Sequence, residues 1–115
     1  MEKKNDSERK IAQLQAFEQN LQNLLLQRQG FQSQLIEIET ALEGVGKSKG
    51  IVYRMIGSIM VLADKEEINN DMRNKKELLS LRIGTVEKQE ERLKEKASKL
   101  QSEVLNEIKN NKGGE

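Results

Sequence analysis

The sequence predicts two long helices that are joined by one β-hairpin. Three observations predict this fold: a heptad repeat in the first 45 residues, a second periodic stretch after Asp64, and a short apolar segment between them with Gly57 at its centre. Proline is absent, so no helix is interrupted by a missing backbone N–H. The fold class is therefore mainly α, with the two helices folded back as an antiparallel coiled coil. The whole chain, residues 1–115, reads as one helix–hairpin–helix unit.

The first helix is predicted over about residues 7–45. Asn5, with a glutamate three residues later, has the spacing of a capping box, while Gly44 and Gly46 predict the end of the helix. Nine of the ten a and d positions are apolar, and Arg28 is the exception. A run of this length is typical of a coiled-coil seam. The ten positions are Leu14, Phe17, Leu21, Leu24, Arg28, Phe31, Leu35, Ile38, Leu42 and Val45.

The second helix is predicted over about residues 65–109, with Asp64 as its N-cap and residues 110–115 as a disordered tail. Its seam is apolar apart from Glu90. The seam positions are Met72, Leu79, Ile83, Val86, Glu90, Leu93, Ala97, Leu100 and Val104.

Arg28 and Glu90 are the two polar interruptions of these seams, and antiparallel alignment of the helices places them in adjacent layers. We predict that they pair across the coil and fix its register, as polar residues in coiled-coil cores can. The alternative is that each side chain reaches out to water independently.

The hairpin is predicted over about residues 50–63, where β-branched and apolar residues flank Gly57. An isolated two-stranded hairpin is only marginally stable, and its unpaired edges invite strands from other chains. Both faces are largely apolar, so we predict an oligomer built through the hairpin. The predicted interface residues are Val52, Tyr53, Met55, Ile59, Met60, Val61 and Leu62.

A third group of apolar residues lies where the free ends of the two helices meet. A two-stranded tip cannot bury all of them, and an apolar patch left in water usually marks a binding site. The alternative is that the frayed ends pack loosely on each other. This terminal cluster consists of Ile11, Leu14, Phe17, Leu100, Val104, Leu105 and Ile108.

Composition excludes several classes of function. The chain has 35% apolar, 34% charged and 3% aromatic residues, and no Cys or His, which removes thiol nucleophiles, the commonest general base and the commonest metal ligands. The net charge of +1 predicts neither nucleic acid nor an anionic membrane as a partner. No signal peptide or membrane span is predicted. We expect a cytoplasmic, non-enzymatic protein without cofactor or metal.

Two segments resemble archaeal β-class prefoldin subunits. VYRMIGSIMV, residues 52–61, is similar to the hairpin signature of that family, and EKQEERL, residues 87–93, is similar to its second helix. The single hairpin fits the β class, because α-class subunits carry two. The resemblance covers nearly the whole chain.

The resemblance implies an ATP-independent holdase. In such an assembly four β and two α subunits (α2β4) join their hairpins into intersubunit β-barrels, and apolar coil tips bind unfolded polypeptides and deliver them to a group II chaperonin. The terminal cluster corresponds to such a tip. The alternative is a structural coiled-coil scaffold or tether that has no affinity for unfolded chains.

Overall fold

The computed structural model describes the backbone of residues 2–113 and the side-chain environments of residues 6–110. Helix α1 spans Glu2–Lys47 and helix α2 spans Lys65–Gly113. Between them, strand β1 (Val52–Ile56) pairs antiparallel with strand β2 (Ile59–Ala63). The predicted mainly α fold with one hairpin is therefore confirmed.

Both helices extend beyond their predicted ends. Helix α1 already includes Asn5, so this residue is not an N-cap, and the helix continues through Gly44 and Gly46 to Lys47. Helix α2 runs through residues 110–113, which were predicted to belong to a disordered tail, and residues 114–115 lie outside the described residues. Capping and glycine preferences are worth about 1 kcal/mol each, so they bias a helix end without fixing it.

Hydrogen bonds from Ser48 close the last turn of α1, at the start of the connection to the hairpin. The Ser48 backbone N–H donates to the carbonyls of Gly44 and Val45 at 3.1 and 3.2 Å, and its hydroxyl donates to the Val45 carbonyl at 2.8 Å. Lys65 Nζ then donates to the Ser48 carbonyl at 2.9 Å. Gly50 follows with a φ of 99°, a left-handed conformation that glycine adopts without steric cost.

Helix α2 begins at an N-cap, as predicted. Asp64 Oδ1 accepts a hydrogen bond from the Glu66 backbone N–H at 3.3 Å, and the Asp64 carbonyl accepts the N–H of Ile68 at 3.0 Å. Glu66 and Glu67 in the first turn also interact favourably with the positive end of the helix dipole.

The chain divides into two compact units. The terminal unit comprises Met1–Arg28 and Thr85–Glu115, and the hairpin unit comprises Gln29–Gly84. In each unit a segment of α1 packs beside a segment of α2. All ten a and d positions predicted for α1 are half-buried, while most positions between them are exposed. The residues with the least exposure are Val52, Ile68, Leu79, Val86, Glu90 and Val104.

Candidate functional site

The terminal cluster lies in the terminal unit, and its seven side chains differ in exposure. Val104 is buried, with 6% of its surface exposed, and belongs to the seam. Leu14, Phe17 and Leu100 are half-buried. The three outer side chains are much more accessible: Ile11 is 42%, Ile108 43% and Leu105 58% exposed. The cluster is therefore a buried seam with an exposed apolar margin.

A polar bridge beside this cluster joins the two helix ends. The Ser7 hydroxyl donates to Glu107 Oε2 at 2.7 Å, and Lys10 Nζ donates to the other carboxylate oxygen of Glu107. Lys10 Nζ also lies 3.6 Å from Glu103 Oε2. These contacts hold the first turns of α1 against the last turns of α2, where the exposed margin lies.

The bridge changes the ionisation of its members. The hydrogen bond from Lys10, followed by that from Ser7, holds the pKa of Glu107 below its ordinary value of 4.5. The hydrogen bond to Glu107 raises the pKa of Lys10 above its ordinary value of 10.5. Both groups are therefore charged at neutral pH.

Sequence reasoning missed this bridge, although a signal was present. Lys10 lies one heptad before Phe17, and Glu107 lies one heptad after Leu100, so both continue the seam positions. Both residues are polar, so a seam defined by apolar side chains alone ends before it reaches them. Because Lys10 and Glu107 carry opposite charges at the next seam positions of the two helices, the heptad periodicity predicts a contact between them.

Arg28 and Glu90 are brought together in the same unit. Arg28 Nε donates to Glu90 Oε1 at 2.7 Å. Glu90 is only 7% exposed, so its carboxylate has lost most of its contact with water and depends on this partner. A charged pair inside an apolar seam disfavours alignments that would separate the two charges. This contact is the geometry that a register pair requires.

The hairpin presents two unequal faces. The register pairs Tyr53 with Leu62 and Met55 with Met60, and these four side chains form one face, which we call the outer face. Tyr53 is 55% and Leu62 69% exposed, and the other two are similarly accessible. Nothing within the described chain covers the outer face. A strand pair with four accessible apolar side chains on one face is suited to association with further strands.

The opposite face of the hairpin carries its anchor to α2. Arg54 Nη2 donates to Asp71 Oδ2 at 2.7 Å. At the base of the hairpin, Val52 is 8% exposed, and its cross-strand partner Ala63 is half-buried. The Val52 side chain thus belongs to the core of this chain, although it was predicted at the oligomer interface. Ile59 and Val61, which were also predicted at the interface, are exposed.

Two kinds of site are absent from the described part of the chain, a metal-binding cluster and a membrane-spanning helix. Among the described residues, no group of three or more His, Cys, Asp or Glu side chains is placed to hold a metal ion. Neither helix, within the same residues, has a stretch long and apolar enough to cross a membrane. The outstanding surfaces are the terminal cluster and the outer face, and both are apolar.

Comparison with known proteins identifies the family. A family profile described as prefoldin subunit matches residues 8–111. The chain belongs to the prefoldin family, in its β class. The prefoldin β subunit of Archaeoglobus fulgidus is 36% identical over 98 residues, covering 84% of each chain. That of Thermococcus onnurineus is 31% identical over 96 residues, covering 82% of this chain and 83% of the relative.

A solved prefoldin structure has the same architecture. The prefoldin β subunit from Thermococcus strain KS-1 superposes with a TM-score of 0.82 at 27% identity, covering 88% of this chain and 90% of that chain. The resemblance seen in the sequence is thus confirmed. Prefoldin subunits are chaperone components rather than enzymes, and they form complexes with other prefoldin subunits.

Proposed function

We propose that this chain is a β subunit of an ATP-independent prefoldin holdase that binds non-native polypeptides through the terminal cluster. The observation that carries the proposal is the exposed margin formed by Ile11, Leu105 and Ile108. Apolar side chains in water are stabilised when another apolar surface covers them. A non-native polypeptide displays such surface, whereas a folded protein has buried most of it.

The proposed assembly is an α2β4 hexamer, in which this chain joins an α-class prefoldin subunit. The outer face of the hairpin supports this proposal, because Tyr53, Met55, Met60 and Leu62 gain burial only from another chain. Ile59 and Val61 extend the accessible apolar surface on the opposite side of the strands. Val52 is buried on the face of the strands opposite the outer face, where it anchors the hairpin in the core of the chain. In the assembly the hairpins form intersubunit β-barrels.

Binding at several coil ends explains how weak contacts retain a client. Three exposed side chains provide only a small apolar contact at each end. When several ends face one client, each further contact is intramolecular and benefits from a high effective concentration. Such binding releases its client readily, as transfer to a group II chaperonin requires. We place this activity in the cytoplasm.

The test replaces the exposed margin without disturbing the buried seam. The variant Ile11→Ser, Leu105→Ser, Ile108→Ser leaves Val104 in place. The matched control carries the same kind of change at three exposed positions outside the cluster, Leu26→Ser, Ile36→Ser and Leu78→Ser. Both proteins are mixed with an α-class partner, and aggregation of a chemically denatured client is followed by light scattering without ATP.

We expect the margin variant to assemble normally and to lose most of its protection of the client. Each serine removes the apolar surface of one exposed side chain, which the client would otherwise bury, at every coil end. The control is expected to protect as the original chain does. Full assembly with no protection by the original chain would instead support the scaffold function. Equal protection by the margin variant would show that the client binds elsewhere.

A further inference from the structure

A second surface of the terminal unit has a chemistry unlike that of the terminal cluster. Between α1 and α2 runs a groove of about 440 Å³ whose floor is formed by the seam residues Leu24 and Leu93. Its walls are entirely polar. Three amides and no charges come from α1, and one amide and two cations come from α2. The wall residues of this amide groove are Asn20, Asn23, Gln27, Gln89, Arg92 and Lys96.

The polar groups of the amide groove are free to bind. All six wall residues are exposed. Within residues 6–110, none of their side chains forms a hydrogen bond or an ion pair with the rest of the chain. A side-chain amide carries two donors and one acceptor oxygen, which complements the N–H and C=O groups of a peptide backbone.

The dimensions of the groove fit an extended chain. From Asn20 to Gln27 the helix rises about 10 Å at 1.5 Å per residue. An extended polypeptide advances about 3.3 Å per residue, so about three residues lie alongside these amides. The apolar floor of Leu24 and Leu93 accepts a side chain that points inward.

The positive charge of the amide groove favours extended chains that carry acidic side chains. Arg92 and Lys96 lie one helical turn apart on the same wall, and none of the eight residues that line the amide groove is acidic. The neighbouring acidic residues Glu87 and Glu91 line a different depression, around the Arg28–Glu90 pair. That depression also contains Lys94, so its lining carries charges of both signs. The amide groove carries two positive charges and no carboxylate, and it therefore attracts carboxylates.

A single-stranded nucleic acid fits this groove less well than an acidic peptide. Proteins that hold single strands stack bases on aromatic side chains along a strongly basic groove. None of the eight residues that line the amide groove is aromatic, and only two are cationic.

We propose that the amide groove holds an extended, acidic segment of the bound polypeptide. The inference rests on the proposed holdase function, which it deepens by adding a polar subsite with a preference for carboxylates. The terminal cluster takes apolar parts of the client, and the amide groove takes nearby acidic parts that an apolar surface would repel.

The experiment compares two labelled peptides with the full-length chain in its assembled form. One peptide is unstructured and rich in glutamate, and the second has glutamine in place of every glutamate. Binding is measured by fluorescence anisotropy for the original chain, for Arg92→Gln with Lys96→Gln, and for the matched control Lys88→Gln with Lys94→Gln. The control removes two exposed positive charges from the same stretch of α2 outside the groove.

We expect the groove variant to bind the acidic peptide about tenfold more weakly, because it loses two exposed charge pairs with the peptide. The control is expected to retain binding, and the preference over the glutamine peptide should weaken as salt is raised. Equal loss in both variants, or no preference between the peptides, would overturn the inference. Displacement of the peptide by single-stranded DNA at equal concentration would also overturn it.

Client protection, measured in parallel, separates this inference from the proposed function. Suppose that client protection is lost only in the margin variant and that the groove variant binds the acidic peptide as the original chain does. The proposal of a peptide site in the amide groove is then wrong, and the holdase function stands. Conversely, the original chain could bind the acidic peptide through Arg92 and Lys96 and yet protect no client. That result supports the amide groove as a peptide site and rejects the holdase function.

Discussion

At the scale of single residues, the pair of Arg28 and Glu90 has the largest expected effect on stability. Glu90 is 7% exposed, and its carboxylate oxygen lies 2.7 Å from Arg28 Nε. Arg28→Glu leaves two carboxylates facing each other in a seam. We expect this change to lower the free energy of unfolding by about 3 kcal/mol, because breaking a buried pair leaves an uncompensated charge. Thermal unfolding followed by circular dichroism provides the measurement.

The charge swap separates pairing from independent exposure of the two side chains. Arg28→Glu combined with Glu90→Arg restores the opposite charges, so we expect it to recover at least half of the loss. A surface pair supplies the control: Lys76 Nζ lies 3.8 Å from Glu39 Oε1, and Lys76→Gln should change stability by less than about 0.5 kcal/mol. A swap no more stable than either single change argues against pairing.

The polar bridge at the helix ends predicts a dependence on pH. The folded-state pKa of Glu107 is depressed, so its contribution is present above the ordinary value of 4.5 and is lost as the pH falls through the folded value. Lys10 behaves in the opposite sense: its contribution is present below 10.5 and is lost as the pH rises through its raised pKa. The helix ends are therefore held together best between these limits.

Carboxyl carbon NMR of Glu107 tests this prediction directly. We expect the titration midpoint of Glu107 to lie below 4.5 in the original chain and to return toward 4.5 in Lys10→Gln. Ser7→Ala should raise it by less, because the Ser7 hydroxyl is the smaller of the two hydrogen-bond contributions. A midpoint that Lys10→Gln leaves unchanged would mean that the bridge does not form in solution.

At the scale of elements, periodicity predicted more than local signals did. The heptad repeat identified both helices and the half-buried side of α1, because seam positions reflect packing along the whole helix. The helix ends were predicted less well. Contacts such as Ser7 with Glu107 join residues 100 positions apart, and no local pattern reveals them. Within the terminal cluster the seam pattern also separated two neighbours, since Val104 lies on the predicted seam and is buried, whereas Leu105 lies off it and is exposed.

The hairpin turn depends on one glycine. Ile56 pairs with Ile59, which leaves Gly57 and Ser58 as a two-residue loop. Gly57 has a φ of 61°, and no other described residue of the turn has a positive φ, as in a type II′ turn. Gly57→Ala should destabilise the hairpin by about 1–2 kcal/mol, because a Cβ is disfavoured in this conformation. Assembled mass, measured by analytical ultracentrifugation with an α-class partner, is expected to fall.

Ser58→Ala is the matched control for this turn. It introduces the same side chain one position later, where the backbone φ is negative, so we expect assembly to be retained. Normal assembly of Gly57→Ala would show that association with other strands is strong enough to impose the strained turn.

At the scale of the whole molecule, the proposed function assigns assembly to the hairpin and client binding to the terminal cluster. Tyr53→Ser with Leu62→Ser removes one cross-strand pair from the outer face and leaves both helices unchanged. We expect loss of assembled mass with helical content retained, since burial of each side chain in an interface is worth about 1.5–3 kcal/mol. Ile51→Ser with Ile36→Ser, at exposed positions outside the strands, is the control.

Client protection by this assembly-deficient variant then tests whether binding requires several coil ends. Its terminal cluster is intact, so under the proposed function a single end can still make its apolar contact with the client. Without assembly the further contacts are no longer intramolecular, and the gain from effective concentration is lost. We therefore expect protection per chain to fall severalfold in light scattering although no binding residue has changed. Undiminished protection by separated chains would mean that one coil end suffices, and the hairpin would then serve a purpose other than avidity.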